Sequence, residues 1–359
     1  MHIRALEAGL ADRYDIYTLA PEKNQLEVIQ NQDVLFRLPA DEVVFPMTPY
    51  QQPQTERALA QALERIQPDI IHIQHFHNWP IGVIDQLLET RKPVVMSFHD
   101  YYAITPYFTM QGAANAHVAL SPEYSQLVFQ ADITPYLQKR FLSIKKSLER
   151  CRAFIVPSNF LAEQLRPVLP LPYQVVPHGI RSFQPQPLVR EAKNRFGCIG
   201  SKLPQKGWME LLKAFQILQS KHPKAEIVFF GGGQKAPAQA SPGVQFHGAY
   251  NQEDLPFLMS QFEIGVLPSL FAETFSYTLS ELWAGGKPVA ASRIGALSER
   301  ITPRENGLFF EPGNIQSMVE TLGWFLETDE WREWKLPEVR PVSDMLEDYH
   351  NIYRSLLNS

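Results

Sequence analysis

Along this chain, short apolar runs bounded by Pro, Asp or Gly alternate with stretches in which apolar residues recur every three or four positions. The runs have the length of strands and the recurring positions mark one face of a helix, so the alternation predicts parallel strands joined by helices, an α/β fold. In the first half DIYTLA (15–20), DIIHIQ (69–74), PVVMSFH (93–99), AFIVP (153–157) and YQVVP (173–177) read as strands. Between them, Glu56 to Ile66 reads as a helix with Leu59, Leu63 and Ile66 on one face and Pro68 ending it. The stretch Arg181 to Glu191 has two prolines and little periodicity, which marks a connector. Beyond it the pattern restarts with FGCIG, a helix from Trp208 to Ser220, EIVFFGGG, VQFHG, EIGVLP, a helix from Ser276 to Ala284, KPVAAS and GLFF. Val342, Met345, Leu346, Tyr349, Ile352, Tyr353 and Leu356 then mark an amphipathic final helix that must dock on one of the domains.

Composition narrows the class. The 359 residues, 45% of them apolar, suffice for two domains of ordinary size. No run approaches the roughly 18 residues of a membrane-spanning helix, and the first residues lack the apolar stretch and cleavage site of a secretory signal. The expected location is therefore cytoplasmic. Cys151 and Cys198 lie far apart, without the spacing of a zinc site or the density of a disulfide scaffold, and read as reduced structural thiols. A formal net charge of -5 argues against a nucleic-acid partner. The segment Arg140 to Arg152 carries several cations on a helical pattern, which fits either a solvated helix face or contact with anionic lipid, peripheral at the inner membrane face.

The most informative chemistry lies between Phe271 and Ala290, where Glu273 sits in a loop and Glu281 lies inside the helix that follows. The first turn of that helix offers backbone N–H groups from about Thr274 to Tyr277, suited to a phosphate or a sugar oxygen. A carboxylate beside them can accept hydrogen bonds from the vicinal hydroxyls of a ribose or hexose. The plainer alternative makes Glu273 a helix cap and Glu281 a surface charge. Upstream, GSKLPQKG (200–207) follows a strand and precedes a helix, which puts its lysines at the ligand-binding edge of an open α/β sheet. Lys206, with Lys202 as a second cation, can hold a pyrophosphate as a point charge, or the segment is an exposed turn. The glycines at 231–233 permit close backbone approach. His72, His75 and His77 invite a metal reading, but no matching acidic ligands are evident, and a strand end is the simpler account.

Taken in order, VVPHGI (175–180), GSKLPQKGWMELLKAF, EIVFFGGG, VQFHGAY, IGVLPS, ETFSYTLSELWAGGKPVAA and NGLFFEPGN resemble the group 1, or family 4, retaining glycosyltransferases of the GT-B fold. PDIIHIQHFHN and KPVVMSFHDYY extend the resemblance more loosely into the first half. It implies two Rossmann-like domains facing a central cleft: an acceptor domain at 1–178, completed by the C-terminal helix 342–359, and a nucleotide-sugar donor domain at 179–341. It also implies a retaining, metal-independent hexosyl transfer from a donor such as a UDP- or GDP-sugar to a glycan, lipid-linked or protein acceptor, without a cofactor. By the same resemblance Glu273 contacts the transferred sugar, Glu281 grips the ribose, Lys206 neutralises the diphosphate, and His99 stands near the sugar, although read from the residues alone His99 is equally a loop histidine bonded to backbone. The N–H groups around Phe275, Ser276 and Tyr277, with Gly248 of VQFHGAY, complete the nucleotide side.

Two departures from the pattern carry expectations of their own. Ser201 stands where the family usually has arginine, leaving Lys202 as the substitute, although a lysine does not reproduce a bidentate guanidinium. The opening strand and its glycine-rich loop are not visible, so the N-terminal domain reads as shortened, which fits an unusual acceptor, a partner subunit or a truncated form. The alternatives to a transferase are a nucleotide-sugar epimerase, a phosphorylase, and a non-catalytic nucleotide-sugar-binding or scaffolding subunit.

Overall fold

The computed structural model describes residues 2–110, 113, 115–189, 194–232 and 241–358. Gly233 of the glycine triplet, and Arg190 and Glu191 of the connector, lie outside the described residues. The chain divides into two compact units, Met1–His178 with Val342–Ser359, and Gly179–Pro341.

The first unit begins with helix α1 (His2–Leu10) and an antiparallel three-stranded sheet, β1 (Thr18–Glu22), β2 (Gln25–Gln30) and β3 (Asp33–Pro39). This corrects the reading of DIYTLA: the strand starts only at Thr18 and belongs to an antiparallel meander, two strands of which the pattern did not reveal. The tight turns explain the miss. They are made with Lys23, Asn31 and Gln32 at positive φ, in place of the Asn-Gly pair that usually announces a hairpin. Leu26 and Val28 alternate inward from β2 and are fully buried.

Next come α2 (Pro53–Ile66), β4 (Ile71–Ile73), α3 (Val83–Glu89), β5 (Val94–Ser97), α4 (Pro122–Phe129), α5 (Thr134–Leu148), β6 (Ala153–Val156), α6 (Asn159–Leu165) and β7 (Tyr173–Val175). The four strands form a parallel sheet in the order β4-β5-β6-β7. Helix α5 corrects the reading of a cationic face from 140 to 152. The helix ends at Leu148, and Arg140 is not solvated but 2% exposed. Its guanidinium lies 4.6 Å over the Tyr102 ring and donates to the Tyr102 carbonyl at 2.6 Å. Among the described residues, no helix is long and apolar enough to cross a membrane.

The second unit holds β8 (Arg195–Ile199), α7 (Trp208–Lys221), β9 (Glu226–Phe230), β10 (Val244–His247), α8 (Leu255–Ser260), β11 (Ile264–Leu267), α9 (Tyr277–Ala284), β12 (Val289–Ser292), α10 (Ala296–Arg300), β13 (Gly307–Phe310) and α11 (Ile315–Glu327). Its six strands are parallel in the order β10-β9-β8-β11-β12-β13. That is the doubly wound order, reversing between β8 and β11. Alternation along β9 sorts the core to both faces. Ile227 and Phe229 pack with Leu211, Phe215 and Leu218 of α7 and Leu322 of α11. Val228 and Phe230 pack with Leu258 of α8 and Leu279, Leu282 and Trp283 of α9. A sheet covered on both faces needs near-continuous apolar strands, and the runs EIVFF and EIGVLP supply them.

The final helix, α12 (Val342–Leu357), returns to the first unit. Met345, Tyr349, Ile352 and Tyr353 pack on Leu6 and Leu10 of α1, Val95 of β5 and Ile155 of β6. Its polar seam is satisfied as well, since Tyr353 Oη lies 2.6 Å from His72 Nδ1, and His72 Nε2 lies 2.8 Å from Ser97 Oγ.

Candidate functional site

In an open doubly wound sheet the carboxyl ends of the strands at the reversal leave a crevice, because the helices that follow them leave toward opposite faces. Here the loop 200–207 after β8 and the loop 268–276 after β11 meet at that point. Gly207 makes the meeting close. It holds φ 68°, and a Cβ on it would stand 1.9 Å from the Pro268 carbonyl oxygen, so only glycine fits. Leu270 N–H donates to the Gln205 carbonyl at 2.8 Å and ties the two loops together. A pocket opens between them, lined among others by Ser201, Lys206, Ser269, Glu273, Ser276 and Thr278.

Lys206 Nζ stands 2.7 Å from Glu273 Oε1, and Ser269 Oγ donates to the same oxygen at 2.6 Å. The ammonium also lies 4.9 Å over the Phe271 ring. Glu273 is 8% exposed, and its carboxylate is therefore held by two donors instead of capping the helix. The cap is Ser276, whose hydroxyl accepts from the Leu279 N–H at 3.4 Å. Ser276 has φ 68° and ψ 90°, a backbone state that costs an L residue about 1–3 kcal/mol.

Glu281 lies on α9 and is 4% exposed, which removes the surface-charge alternative. Burial pushes its carboxyl up to about 7, and no hydrogen bond to that carboxyl is made among the described residues. Tyr250, beside it in charge terms, is raised by burial first and by Glu281 second. Phe275 is buried and meets the Tyr277 ring edge-on at 5.8 Å. Gly248 accepts the Gly231 N–H through its carbonyl at 2.9 Å and faces open space at its Cα.

The two residues of the expected cationic clamp separate. Ser201 is exposed on the pocket edge. Lys202 is buried, with its ammonium on the carbonyls of Gly231 and His247. Lys206 is thus the lysine of the pocket whose charge is directed at a carboxylate and not at backbone.

His99 lies in the other unit, just past β5. Its Nε2 stands 2.9 Å from Gln74 Oε1, and its ring centroid is 4.8 Å from that of His2 and 5.4 Å from that of His178. Withdrawal from water, and then His2, push its imidazole down to about 3, so it is neutral at physiological pH. His75 faces Asp100 at 3.1 Å. Among the described residues no group of three or more His, Cys, Asp or Glu is placed to hold a metal ion. Cys151 and Cys198 are both free thiols.

Two residues escaped the sequence reading. Ser269 had a usable signal, its place just beyond a strand at the sheet reversal. Arg300 had none, because an arginine at the end of a short helix ordinarily faces solvent. Here its Nη1 donates to the carbonyls of Phe275 at 2.8 Å and Ser276 at 3.0 Å, and its Nη2 to Ser280 Oγ at 2.7 Å. The guanidinium covers the Phe275 ring at 4.1 Å, and burial lowers its pKa to about 10, which leaves it charged at neutral pH.

Comparison with known proteins places the family and the fold. Residues 180–335 match the model of glycosyl transferases group 1, and residues 1–182 that of Glycosyltransferase Family 4. The MMP alpha-(1->4)-mannosyltransferase of Mycolicibacterium hassiacum is 31% identical over 170 residues, 45% of this chain and 41% of that relative's length. Sucrose-phosphate synthase from Thermosynechococcus elongatus superposes with TM-score 0.65 at 19% identity, over 85% of this chain and 78% of that one. Anabaena Alr3699/HepE in complex with UDP-glucose does so with TM-score 0.61 at 16% identity, over 84% and 82%. The fold class is that of the GT-B glycosyltransferases, and with both halves matched the chain belongs to the group 1, family 4 glycosyltransferases.

Proposed function

We propose that the chain is a retaining, metal-independent glycosyltransferase that moves a hexose or a related sugar from a nucleotide-sugar to a glycan, lipid-linked or protein acceptor. The observation that carries this reading is the convergence of Lys206, Ser269, Glu273 and Ser276 at the sheet reversal of the second unit, with Glu281 buried further along α9, the helix that Ser276 caps. The mannosyltransferase relative and the UDP-glucose complex of HepE support the choice of ligand class.

In this reading the diphosphate lies against the first turn of α9, where helix-terminal N–H groups favour negative charge. Lys206 stabilises the charge that grows on the leaving phosphate as the glycosidic bond breaks. Glu273, held by Ser269, accepts from hydroxyls of the transferred sugar. Glu281 takes the ribose hydroxyls, accepting from them when ionised and donating its own O–H to one of them when protonated, both forms being accessible to a carboxyl lifted to about 7. His99, being neutral, contributes a hydrogen bond and not a charge. The acceptor proton passes to the leaving phosphate on the same face of the sugar, which preserves the anomeric configuration.

A non-catalytic nucleotide-sugar-binding subunit is the second reading. It is favoured by the commitment of Lys202 to backbone carbonyls, which leaves Ser201 in place of a clamp. One experiment separates the two. The chain is titrated calorimetrically with UDP, GDP and ADP and their glucose and mannose conjugates, and any binder is followed for slow hydrolysis. Hydrolysis that persists in EDTA, falls at least a hundredfold in Glu273→Ala, and leaves nucleotide affinity within a few-fold supports the transferase. Binding without hydrolysis supports the subunit, and absence of binding refutes both.

A further inference from the structure

One segment of the second unit holds the second half of the loop that carries Glu273, from Glu273 itself to Ser276. At its near end Gly295, with φ 62°, lets the Glu273 backbone approach to where a Cβ would stand 2.5 Å from the Glu273 nitrogen. Ala296 N–H then donates to the Glu273 carbonyl at 2.7 Å. At its far end, on the last residue of α10, Arg300 takes the carbonyls of Phe275 and Ser276 on one nitrogen and the Ser280 hydroxyl on another. The rings of Phe275, at 4.1 Å, and Trp283, at 5.4 Å, pack against the guanidinium.

The consequence follows from the trans peptide bond, in which the carbonyl and the N–H of one peptide unit point in opposite directions. By drawing the carbonyls of Phe275 and Ser276 toward itself, Arg300 turns the N–H groups of Ser276 and Tyr277 the other way. It also offsets the strain of Ser276, whose φ of 68° is a conformation that a serine does not hold unaided.

We propose that Arg300 is a positioning residue, whose grip on the carbonyls of Phe275 and Ser276 sets the backbone N–H groups that receive the diphosphate of the donor. This rests on the donor-site reading given above. A lysine cannot replace it fully, because one ammonium does not reproduce a planar fork between two carbonyls and a hydroxyl.

The test compares the affinity of the full chain for UDP, GDP or ADP, whichever binds best, with its affinity for the corresponding nucleoside, measured by calorimetry and by competition. Arg300→Met keeps the stem and the apolar contacts, and it should weaken the diphosphate about tenfold while changing the nucleoside less than twofold. Arg300→Lys should fall between, and it serves if the methionine variant does not fold. Adding Ser276→Gly, which adopts positive φ without strain, should restore part of the lost diphosphate affinity. A loosened domain would instead lower both affinities together. An unchanged ratio in folded Arg300→Met or Arg300→Lys, or an equal loss for both ligands, overturns the positioning role and leaves the donor site standing. Failure of the wild-type chain to bind any of the three diphosphates overturns the donor site and this inference with it.

Discussion

Glu281 stores a pH dependence in a single carboxyl. Burial lifts it to about 7, against about 4.3 in an unfolded chain. A group with a raised folded pKa keeps the proton longer in the native state. Its contribution is therefore complete below about pH 4 and is lost as the pH climbs through 7. The loss amounts to roughly 3–4 kcal/mol. Glu281→Gln removes it, so urea unfolding should show the variant more stable than wild type at pH 8 and equal to it at pH 4. A difference that is the same at both pH values would refute the assignment. Lys206 and Glu273 belong to the same scale. Lys206→Met takes one of two donors from the Glu273 oxygen, and nucleoside diphosphate affinity should drop about tenfold, the effect of losing one charge-assisted contact.

At the scale of elements, two loops and one helix matter most. Gly207 is where the loops after β8 and β11 touch, and Gly207→Ala meets both a positive φ and the Pro268 carbonyl. The cost should exceed about 1 kcal/mol, and because Lys206 precedes it directly, thermal stability and nucleotide affinity should fall together. A variant with lowered stability and intact affinity would show that the loop junction does not place Lys206. Helix α12 is held by apolar burial, with Met345 and Tyr349 inaccessible to solvent. Met345→Ala should cost about 2–5 kcal/mol. Proteolysis near the chain end should accelerate, and no change in cleavage rate would argue that the helix docks by its polar seam alone.

At the scale of the whole molecule, the chain divides into two compact units, and the pocket at the sheet reversal lies in the second. A nucleoside diphosphate present at about 100 times its dissociation constant should stabilise the fold by about 2.7 kcal/mol. Hydrogen exchange should report protection in the loops 200–207 and 268–276 and little change in the meander of β1 to β3. Protection confined to the first unit would place the ligand elsewhere.

Several of these features are legible in the sequence alone. Strands buried on both faces must be apolar without interruption, so FGCIG, EIVFF and EIGVLP declare themselves, as do α7 and α12 by their three-and-four spacing. The loops carrying Lys206 and Glu273 were legible for the same reason, being the segments that follow such strands. What the tertiary structure alone decided depends on chain segments far apart in sequence. The meander of β1 to β3 turns on residues with no turn signature. Arg140 became buried and Arg300 half-buried because aromatic rings and backbone carbonyls happened to surround them, and an arginine carries the same letters whether solvated or enclosed. Lys202 and Lys206 are alike in sequence, yet one ammonium is spent on carbonyls of neighbouring strands' ends and the other reaches Glu273. Local periodicity determines which residues leave water. The partner a polar group finds there is set by the packing of distant segments, and that is where the chemistry of this site was decided.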